Sequence, residues 1–203
     1  GESFEDFLRI WRRWDGQAYI EIATYGYDGK SLNDDRRTFN SRFPPLYSLL
    51  IRAAAVVSPF ELWKTAIIVS ILLLIAASYL LFRLVEYETL DRNPAWWAVI
   101  FLNTFPASYF ANAVYAESLF LVLSFLYLGT VRRTGRLSRE PLFLMLMLLT
   151  RQVAMAIMPF HMCRALRRAV ALRSQPLHAC WSIVLGALPL VVYASFILYT
   201  QQI

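Results

Sequence analysis

The stretch TAIIVSILLLIAASYLLF, residues 65–82, decides the class of fold because it carries no charged side chain over 18 residues. A helix needs about 20 apolar residues to cross the hydrocarbon of a bilayer, so this stretch predicts a membrane-spanning helix that ends at Arg83. The whole chain is 58% hydrophobic and 17% charged, whereas soluble domains have about 45–50% apolar and about 25% charged residues. The composition therefore indicates a multi-pass membrane protein.

Further apolar runs follow this stretch. Pro106 interrupts the first of them, and Arg151 separates two shorter ones. These runs are 93–116, 118–131, 141–150, 152–163 and 175–203. Because 141–150 and 152–163 have only half the length of a span, we expect them to form a hairpin hinged at Arg151. The runs together predict an all-α, polytopic membrane bundle with about six membrane-crossing or half-crossing helices, plus interfacial helices.

Two loops rich in arginine predict the orientation of these helices. They are 132–139, with Arg132, Arg133, Arg136 and Arg139, and 164–173, with Arg164, Arg167, Arg168 and Arg173. Basic loops stay on the cytoplasmic side, so counting crossings backwards from them predicts that residues 1–44 are extracytoplasmic. Asp15 and Glu117 should then meet the same membrane surface. Since 18 of the 20 basic residues are Arg, a GC-rich genome and the bacterial plasma membrane are our expectation.

The predicted domain division falls between residues 61 and 62. Residues 1–61 should form an extracytoplasmic loop with interfacial or re-entrant helices, and residues 62–203 should form the transmembrane bundle. The run Leu46–Val57 is too short to span comfortably, although a tilted span with Arg52 reaching the interface is an alternative. The basic surplus lies in short loops without a spaced basic-aromatic pattern, so no nucleic-acid partner is indicated.

Three charged residues are candidates for chemistry. Asp15 belongs to the polar stretch Trp11–Tyr27, where it is either a site carboxylate or a surface acid. Glu117 begins a predicted helix, where the helix dipole favours a carboxylate, or it belongs to a site in the membrane. Arg151 either pairs with a structural carboxylate or holds a phosphate.

Other kinds of site find little support in the sequence. Cys163 and Cys180 offer no disulfide framework, and His161 and His178 flank a basic loop without an accompanying carboxylate. We therefore predict no metal ligands among them, and the sequence leaves a divalent-metal requirement open. A Ser/His/Asp triad and a phosphate-binding glycine-rich loop are both missing from the pattern.

Several motifs resemble those of the PIG-V-type mannosyltransferases, the GPI mannosyltransferase II-like family of the GT-C class. The matching segments are RWDGQAY (13–19), FPPLY (43–47), FPASYF (105–110), AVYAESLF (113–120) and LTR (149–151). The resemblance implies a GT-C-like fold, a polyprenyl-phosphate sugar donor and an inverting transfer, with mannose as the hexose. It also implies that this chain corresponds to the front half of a longer enzyme, without the helix that precedes the first loop.

The resemblance also implies roles for individual residues. Asp15 takes the position of the family's loop aspartate and would be the general base, while Glu117 would position the acceptor or assist the base. Arg151 would contact the donor phosphate as negative charge builds on it. Further substrate-binding candidates within the matching motifs are Arg13, Trp14, Tyr19 and Tyr115.

Two other functions remain open from the sequence. A non-catalytic GT-C-like subunit of a larger membrane complex would use its apolar surface to hold other membrane subunits. A lipid or solute transporter is less favoured, because the two halves of the chain show no inverted repeat. Expected partners are membrane lipids, the polyprenyl-phosphate sugar donor and, for the subunit alternative, further membrane proteins.

Overall fold

The computed structural model describes residues 9–27, 34–133, 139–172 and 174–202, which form helices joined by short turns without any strand among them. The all-α prediction is therefore confirmed for these residues. Two 3-10 segments, Arg9–Arg12 and Gln152–Ile157, accompany the α-helices. The α-helices are α1 (Asp15–Tyr25), α2 (Asp34–Asn40), α3 (Leu46–Val57), α4 (Leu62–Thr89), α5 (Arg92–Thr104), α6 (Ser108–Asn112), α7 (Glu117–Arg133), α8 (Glu140–Leu148), α9 (Met158–Ala171) and α10 (Pro176–Thr200).

Two of the described helices are long and apolar enough to cross a membrane, α4 with 28 residues and α10 with 25. Helix α4 contains the predicted span 65–82 and continues past it to Thr89, and Arg83 and Glu86 pair one turn apart on the surface of this extension. Helices α5 and α7 have 13 and 17 residues. Length and composition thus identify two candidate spans, and the larger number of crossings stays a prediction.

The predicted apolar run 93–116 is divided into two helices. Helix α5 ends at Thr104, and Phe105 is extended, with φ −62° and ψ 139°. The residue before a proline avoids the helical conformation, so Pro106 is the physical reason for the break. Helix α6 follows after the turn, and α7 begins at Glu117.

Arg151 is the hinge of a helical hairpin, as the sequence predicts. It is extended, with φ −150° and ψ 136°, between α8 and the 3-10 segment that leads into α9. At the opposite end of the hairpin, Arg164 Nη2 donates to Oε1 of the buried Glu140 at 2.8 Å. The two predicted basic loops therefore begin at one end of the bundle, and Arg151 lies at the other. In the second of them, Arg164, Arg167 and Arg168 are helical residues of α9, so that prediction of a loop is wrong for most of its length. Residues 134–138 and Arg173 of these loops lie outside the described residues.

Helix α3 has the predicted bounds and packs against this hairpin. Its 12 residues cover roughly 18 Å, less than the ~30 Å of bilayer hydrocarbon, which favours the interfacial or re-entrant interpretation. The Leu46 amide donates to the Leu149 carbonyl at 2.9 Å. Tyr47 and Ile51 are fully buried in a core shared with residues of α7, α8 and α10. Both predicted units thus contribute to one core, and their placement relative to the membrane stays a prediction.

Helices α9 and α10 approach closely at Gly186, and this contact can be tested. A Cβ atom at Gly186 would lie 2.6 Å from the Cβ of Ala165. We expect Gly186→Ala to lower the free energy of unfolding by about 1–3 kcal/mol. This loss outweighs the ~1 kcal/mol that alanine gains over glycine in a helix. Thermal unfolding of the purified protein in detergent would measure the change.

Gly129 provides the matched control, because a Cβ atom there would meet nothing within 4 Å. Gly129→Ala should be neutral or stabilising, and Ala165→Gly should restore most of the stability of the Gly186→Ala variant. Equal stability of the Gly129 and Gly186 variants would contradict the close approach.

Candidate functional site

A tight turn places Asp15 at the start of α1. The backbone of Trp14 is left-handed, with φ 53°, and Asp15 is the first helical residue. A carboxylate at this position is favoured by the helix dipole. Within the described part of the chain, the Asp15 side chain has no hydrogen-bond or ion-pair partner. It is half-buried.

The segment before α7 holds this turn in place. The Val114 amide donates to the Trp11 carbonyl at 2.9 Å, and the Tyr115 hydroxyl donates to the Arg13 carbonyl at 3.1 Å. A Cβ atom at Gly16 would lie 3.0 Å from the Val114 carbonyl oxygen, so glycine allows the two segments to come this close. Two of the motifs that carry the family resemblance are therefore packed against each other.

Glu117 and Arg151 form an ion pair that joins the start of α7 to the tip of the hairpin. Arg151 Nη1 donates to Glu117 Oε1, and the second carboxylate oxygen, Oε2, is buried without a hydrogen-bond partner among the described residues. Of the alternatives for Glu117, the structure shows the helix N-terminus. Of those for Arg151, it shows the pair with a carboxylate. A site role for Glu117 and a phosphate contact for Arg151 stay predictions. Glu117 begins a helix and also fixes the orientation of Arg151.

A partly polar cavity of about 180 Å³ joins these groups. Its lining comes from α1, the turn before α3, the segment before α7 and the hairpin tip. The lining residues are Asp15, Tyr19, Arg42, Phe43, Pro44, Tyr115, Glu117, Thr150, Arg151, Gln152 and Val153. The cavity thus carries two carboxylates and two guanidinium groups, of which Glu117 and Arg151 are already paired.

The sequence-predicted residues divide into two groups. Five of the seven candidates line the cavity, namely Asp15, Tyr19, Tyr115, Glu117 and Arg151. Arg13 and Trp14 do not line it, and both side chains are exposed, Trp14 by 70%. The backbone of these two residues builds the turn, since the Arg13 carbonyl accepts the Tyr115 hydroxyl. A substrate contact from their side chains stays a prediction.

Arg42 is a cavity residue that sequence reasoning did not identify. Its side chain is exposed and makes no ion pair with the described residues, while its carbonyl accepts from Gln152 Nε2 at 3.2 Å. Arg42 directly precedes the FPPLY segment, and this adjacency was the only signal of its position. It supplies a second cation that an anionic ligand could approach without breaking an existing pair.

The two tyrosines in the cavity are uncharged donors over the physiological range. Burial, followed by the nearby Asp15 carboxylate, raises the pKa of Tyr115 to about 12. Burial also raises the pKa of Tyr19 above its ordinary value, against the smaller opposing effect of Arg151. The Tyr19 ring packs edge-on against Phe43 and Tyr47, with centroids 5.2 and 5.1 Å away. These contacts give one wall of the cavity a fixed shape.

An apolar groove of about 470 Å³ lies on the other side of Glu117. It runs between α4, α5, α6 and α7, and its lining residues are Leu81, Ala98, Phe101, Leu102, Phe105, Ala107, Ser108, Ala111, Glu117, Phe120 and Leu121. Glu117 therefore borders both spaces. A ligand with a polar head and a hydrocarbon chain could occupy both at once.

No group of three or more His, Cys, Asp or Glu side chains that could hold a metal ion occurs within residues 9–27, 34–133, 139–172 and 174–202. The two cysteines, Cys163 and Cys180, are free and exposed. The described cavity groups are therefore carboxylates, guanidinium groups, phenols and amides.

These features define an all-helical membrane protein with a charged cavity at one end of its bundle. Residues 2–199 match the family model described as Mannosyltransferase (PIG-V). The chain belongs to this mannosyltransferase family, as its sequence motifs indicate. Membership implies a lipid-linked sugar donor and association with the membrane. Comparison with curated proteins finds no match, and comparison with solved structures finds none either.

The ion pair predicts an asymmetry between two substitutions. Arg151→Gln leaves a carboxylate with one buried oxygen, whereas Glu117→Gln leaves an arginine side chain that is 38% exposed and can be hydrated. We expect Arg151→Gln to destabilise the protein more, by about 1–3 kcal/mol. Unfolding free energies of both variants in detergent would measure this difference. Arg92→Gln, which removes an exposed pair with Glu86 at 2.9 Å, should cost at most about 1 kcal/mol. The reverse order of the two cavity variants would contradict the account.

Tyr115→Phe tests the bond that holds the Asp15 turn. Losing the hydroxyl leaves the Arg13 carbonyl without that donor, and we expect a loss of about 1 kcal/mol. Because the folded-state pKa of Tyr115 is raised from 10.0 to about 12, its stabilisation is present below pH 10 and is lost as the pH rises to 12. The variant should therefore lose less stability than the wild type across that window.

Tyr79→Phe, at a tyrosine that is 60% exposed on α4, is the control for the effect of removing a hydroxyl. Denaturation at several pH values would measure both variants. Stability of Tyr115→Phe equal to that of Tyr79→Phe would exclude the bond as a support of the turn.

Proposed function

We propose that this protein transfers a hexose, mannose, from a polyprenyl-phosphate donor to an acceptor hydroxyl on the extracytoplasmic face of the membrane. The observation that carries the proposal is the cavity in which the Asp15 carboxylate, without a partner among the described residues, lies with the guanidinium groups of Arg42 and Arg151. A base and a phosphate-binding cation within one sugar-binding space are the groups that such a transfer requires.

In the proposed mechanism, the Asp15 carboxylate removes the proton from the acceptor hydroxyl. The acceptor oxygen attacks the anomeric carbon from the face opposite the phosphate, and the bond between that carbon and the phosphate oxygen breaks. Inversion at the anomeric carbon follows, and polyprenyl phosphate leaves. Asp15 has no competing hydrogen bond in the described part of the chain, which suits it to this role.

The cations of the cavity would stabilise the leaving phosphate. Arg151 keeps one orientation because Glu117 accepts from its Nη1, so its remaining N–H groups are arranged before the donor arrives. Arg42 offers a second guanidinium group on the same lining. The apolar groove beyond Glu117 would take the isoprenoid chain of the donor. Because Glu117 borders both the charged cavity and this groove, the arrangement suits a lipid-linked substrate.

The relative positions of the charges support the proposed sidedness. Glu117 and Arg151 lie at the cavity end, while Glu140, Arg164 and the C-terminal end of α7 lie at the other. If the basic end faces the cytoplasm, as the positive-inside rule predicts, the cavity faces the extracytoplasmic side.

Asp15→Asn tests the proposed base. In membranes supplied with radiolabelled polyprenyl-phosphate mannose, we expect the substitution to lower transfer by about a hundredfold or more, because an amide cannot take the acceptor proton. Asp35→Asn is the matched control, since Asp35 is an exposed acid on α2 outside the cavity. Its transfer should equal that of the wild type.

Two outcomes of this assay would contradict the proposal. Transfer unchanged in Asp15→Asn would remove Asp15 as the base. No transfer by folded wild-type protein with any lipid-linked hexose, together with purification in a fixed complex, would favour the non-catalytic structural subunit.

A further inference from the structure

A second cavity, of about 280 Å³, opens at the end of the bundle that carries the basic loops. It lies between the C-terminal parts of α4 and α7 and reaches the start of α8. Its lining residues are Leu80, Arg83, Leu84, Tyr87, Phe125, Leu126, Gly129, Thr130, Arg132, Arg139 and Phe143. Along α7, Arg132 is 15 residues from Glu117, or roughly 22 Å at the rise of a helix. This cavity is therefore separate from the proposed transfer site.

The lining carries three guanidinium groups and no carboxylate. Arg83 and Arg132 have acidic neighbours outside the cavity, Glu86 at 3.6 Å and Glu88 at 3.3 Å. The two arginine side chains are 54% and 59% exposed, and pairs this open to water hold their partners weakly. Arg139 forms no ion pair with the part of the chain that the structure describes. All three cations can therefore turn towards an anion in the cavity.

The remaining walls are mostly apolar. Leu80 and Leu84 lie on one turn of α4, Phe125 and Leu126 lie on α7, and Phe143 belongs to α8. A small soluble anion would leave these hydrocarbon surfaces exposed to water. The combination of a cationic rim and apolar walls suits an amphiphile with an anionic head.

The position of Arg83 along α4 indicates how deep the arginines of this cavity lie in the bilayer. It follows the uncharged stretch 65–82, whose 18 residues cover about 27 Å of helix, close to the ~30 Å of bilayer hydrocarbon. If this stretch spans the bilayer, Arg83 lies where hydrocarbon meets the lipid headgroups. The cations then stand at phosphate level, and the leucines below them stand at the level of acyl chains.

We propose that this cavity is a binding site for one anionic phospholipid of the cytoplasmic leaflet. The phosphate lies among Arg83, Arg132 and Arg139, and an acyl chain lies against the apolar walls. Gly129 borders open space, since a Cβ atom there would meet nothing within 4 Å. The site rests on the predicted orientation of the chain and is independent of the transfer reaction.

The test compares lipids on the purified full chain in neutral detergent. Thermal unfolding and native mass spectrometry are recorded with phosphatidylglycerol, with phosphatidylcholine and with inorganic phosphate. We expect phosphatidylglycerol to raise the unfolding temperature and to be retained as a single adduct. We expect phosphatidylcholine and phosphate to do neither.

Two variants distinguish the contribution of the arginine charges from that of the cavity volume. The triple variant Arg83→Gln, Arg132→Gln and Arg139→Gln should bind phosphatidylglycerol more weakly, by about fivefold for each arginine. Gly129→Leu fills the cavity while all charges remain, and it should also lose the adduct. Arg167→Gln, at an exposed arginine of α9 outside the cavity, should bind like the wild type. Unfolding of each variant without lipid checks that it is folded.

Three results would overturn the proposal. They are equal effects of the anionic and zwitterionic lipids, a stabilisation by inorganic phosphate as large as that by the lipid, and retention of the adduct by folded Gly129→Leu protein.

Discussion

The ion pair between Glu117 and Arg151 is the interaction on which the rest of the site depends. It joins the start of α7 to the tip of a hairpin 34 residues later in the chain, where two half-length helices meet. Charges are costly at membrane depth unless they are paired or reach water. Because each partner neutralises the other, an apolar bundle can present a carboxylate and a guanidinium group to a cavity without a large loss of stability.

The remaining cavity walls follow from this junction. The hairpin tip receives the start of α3 through the Leu46 amide, and the segment before α7 holds the turn that carries Asp15. One helix start and two backbone turns thus place groups from four distant parts of the sequence around a cavity of about 180 Å³. Asp15 and Arg42 form no ion pair with the described residues, and in the proposed transfer they are the groups that meet the substrate.

Much of this arrangement could be predicted from the sequence. Apolar runs and basic segments depend on composition, so they indicated helices and the hinge at Arg151. They also predicted one membrane face for Asp15 and Glu117; the structure shows that both line one cavity, and the membrane face stays a prediction. Contacts between elements that are distant in the sequence could not be predicted in this way. The pairing of Glu117 with Arg151 depends on how the hairpin packs, and Arg42 lines the cavity beside Gln152, whose side chain donates to its carbonyl. Trp14 adopts a left-handed conformation that its residue type does not indicate.

The most direct test of the central claim is a structure determination with a non-transferable phosphonate analogue of polyprenyl-phosphate mannose. We expect the phosphonate within hydrogen-bonding distance of Arg42 and Arg151 and the hexose between them and Asp15. The isoprenoid chain should lie in the groove beyond Glu117. An analogue bound elsewhere, with the Asp15 cavity unchanged, would contradict the assignment of this cavity as the transfer site.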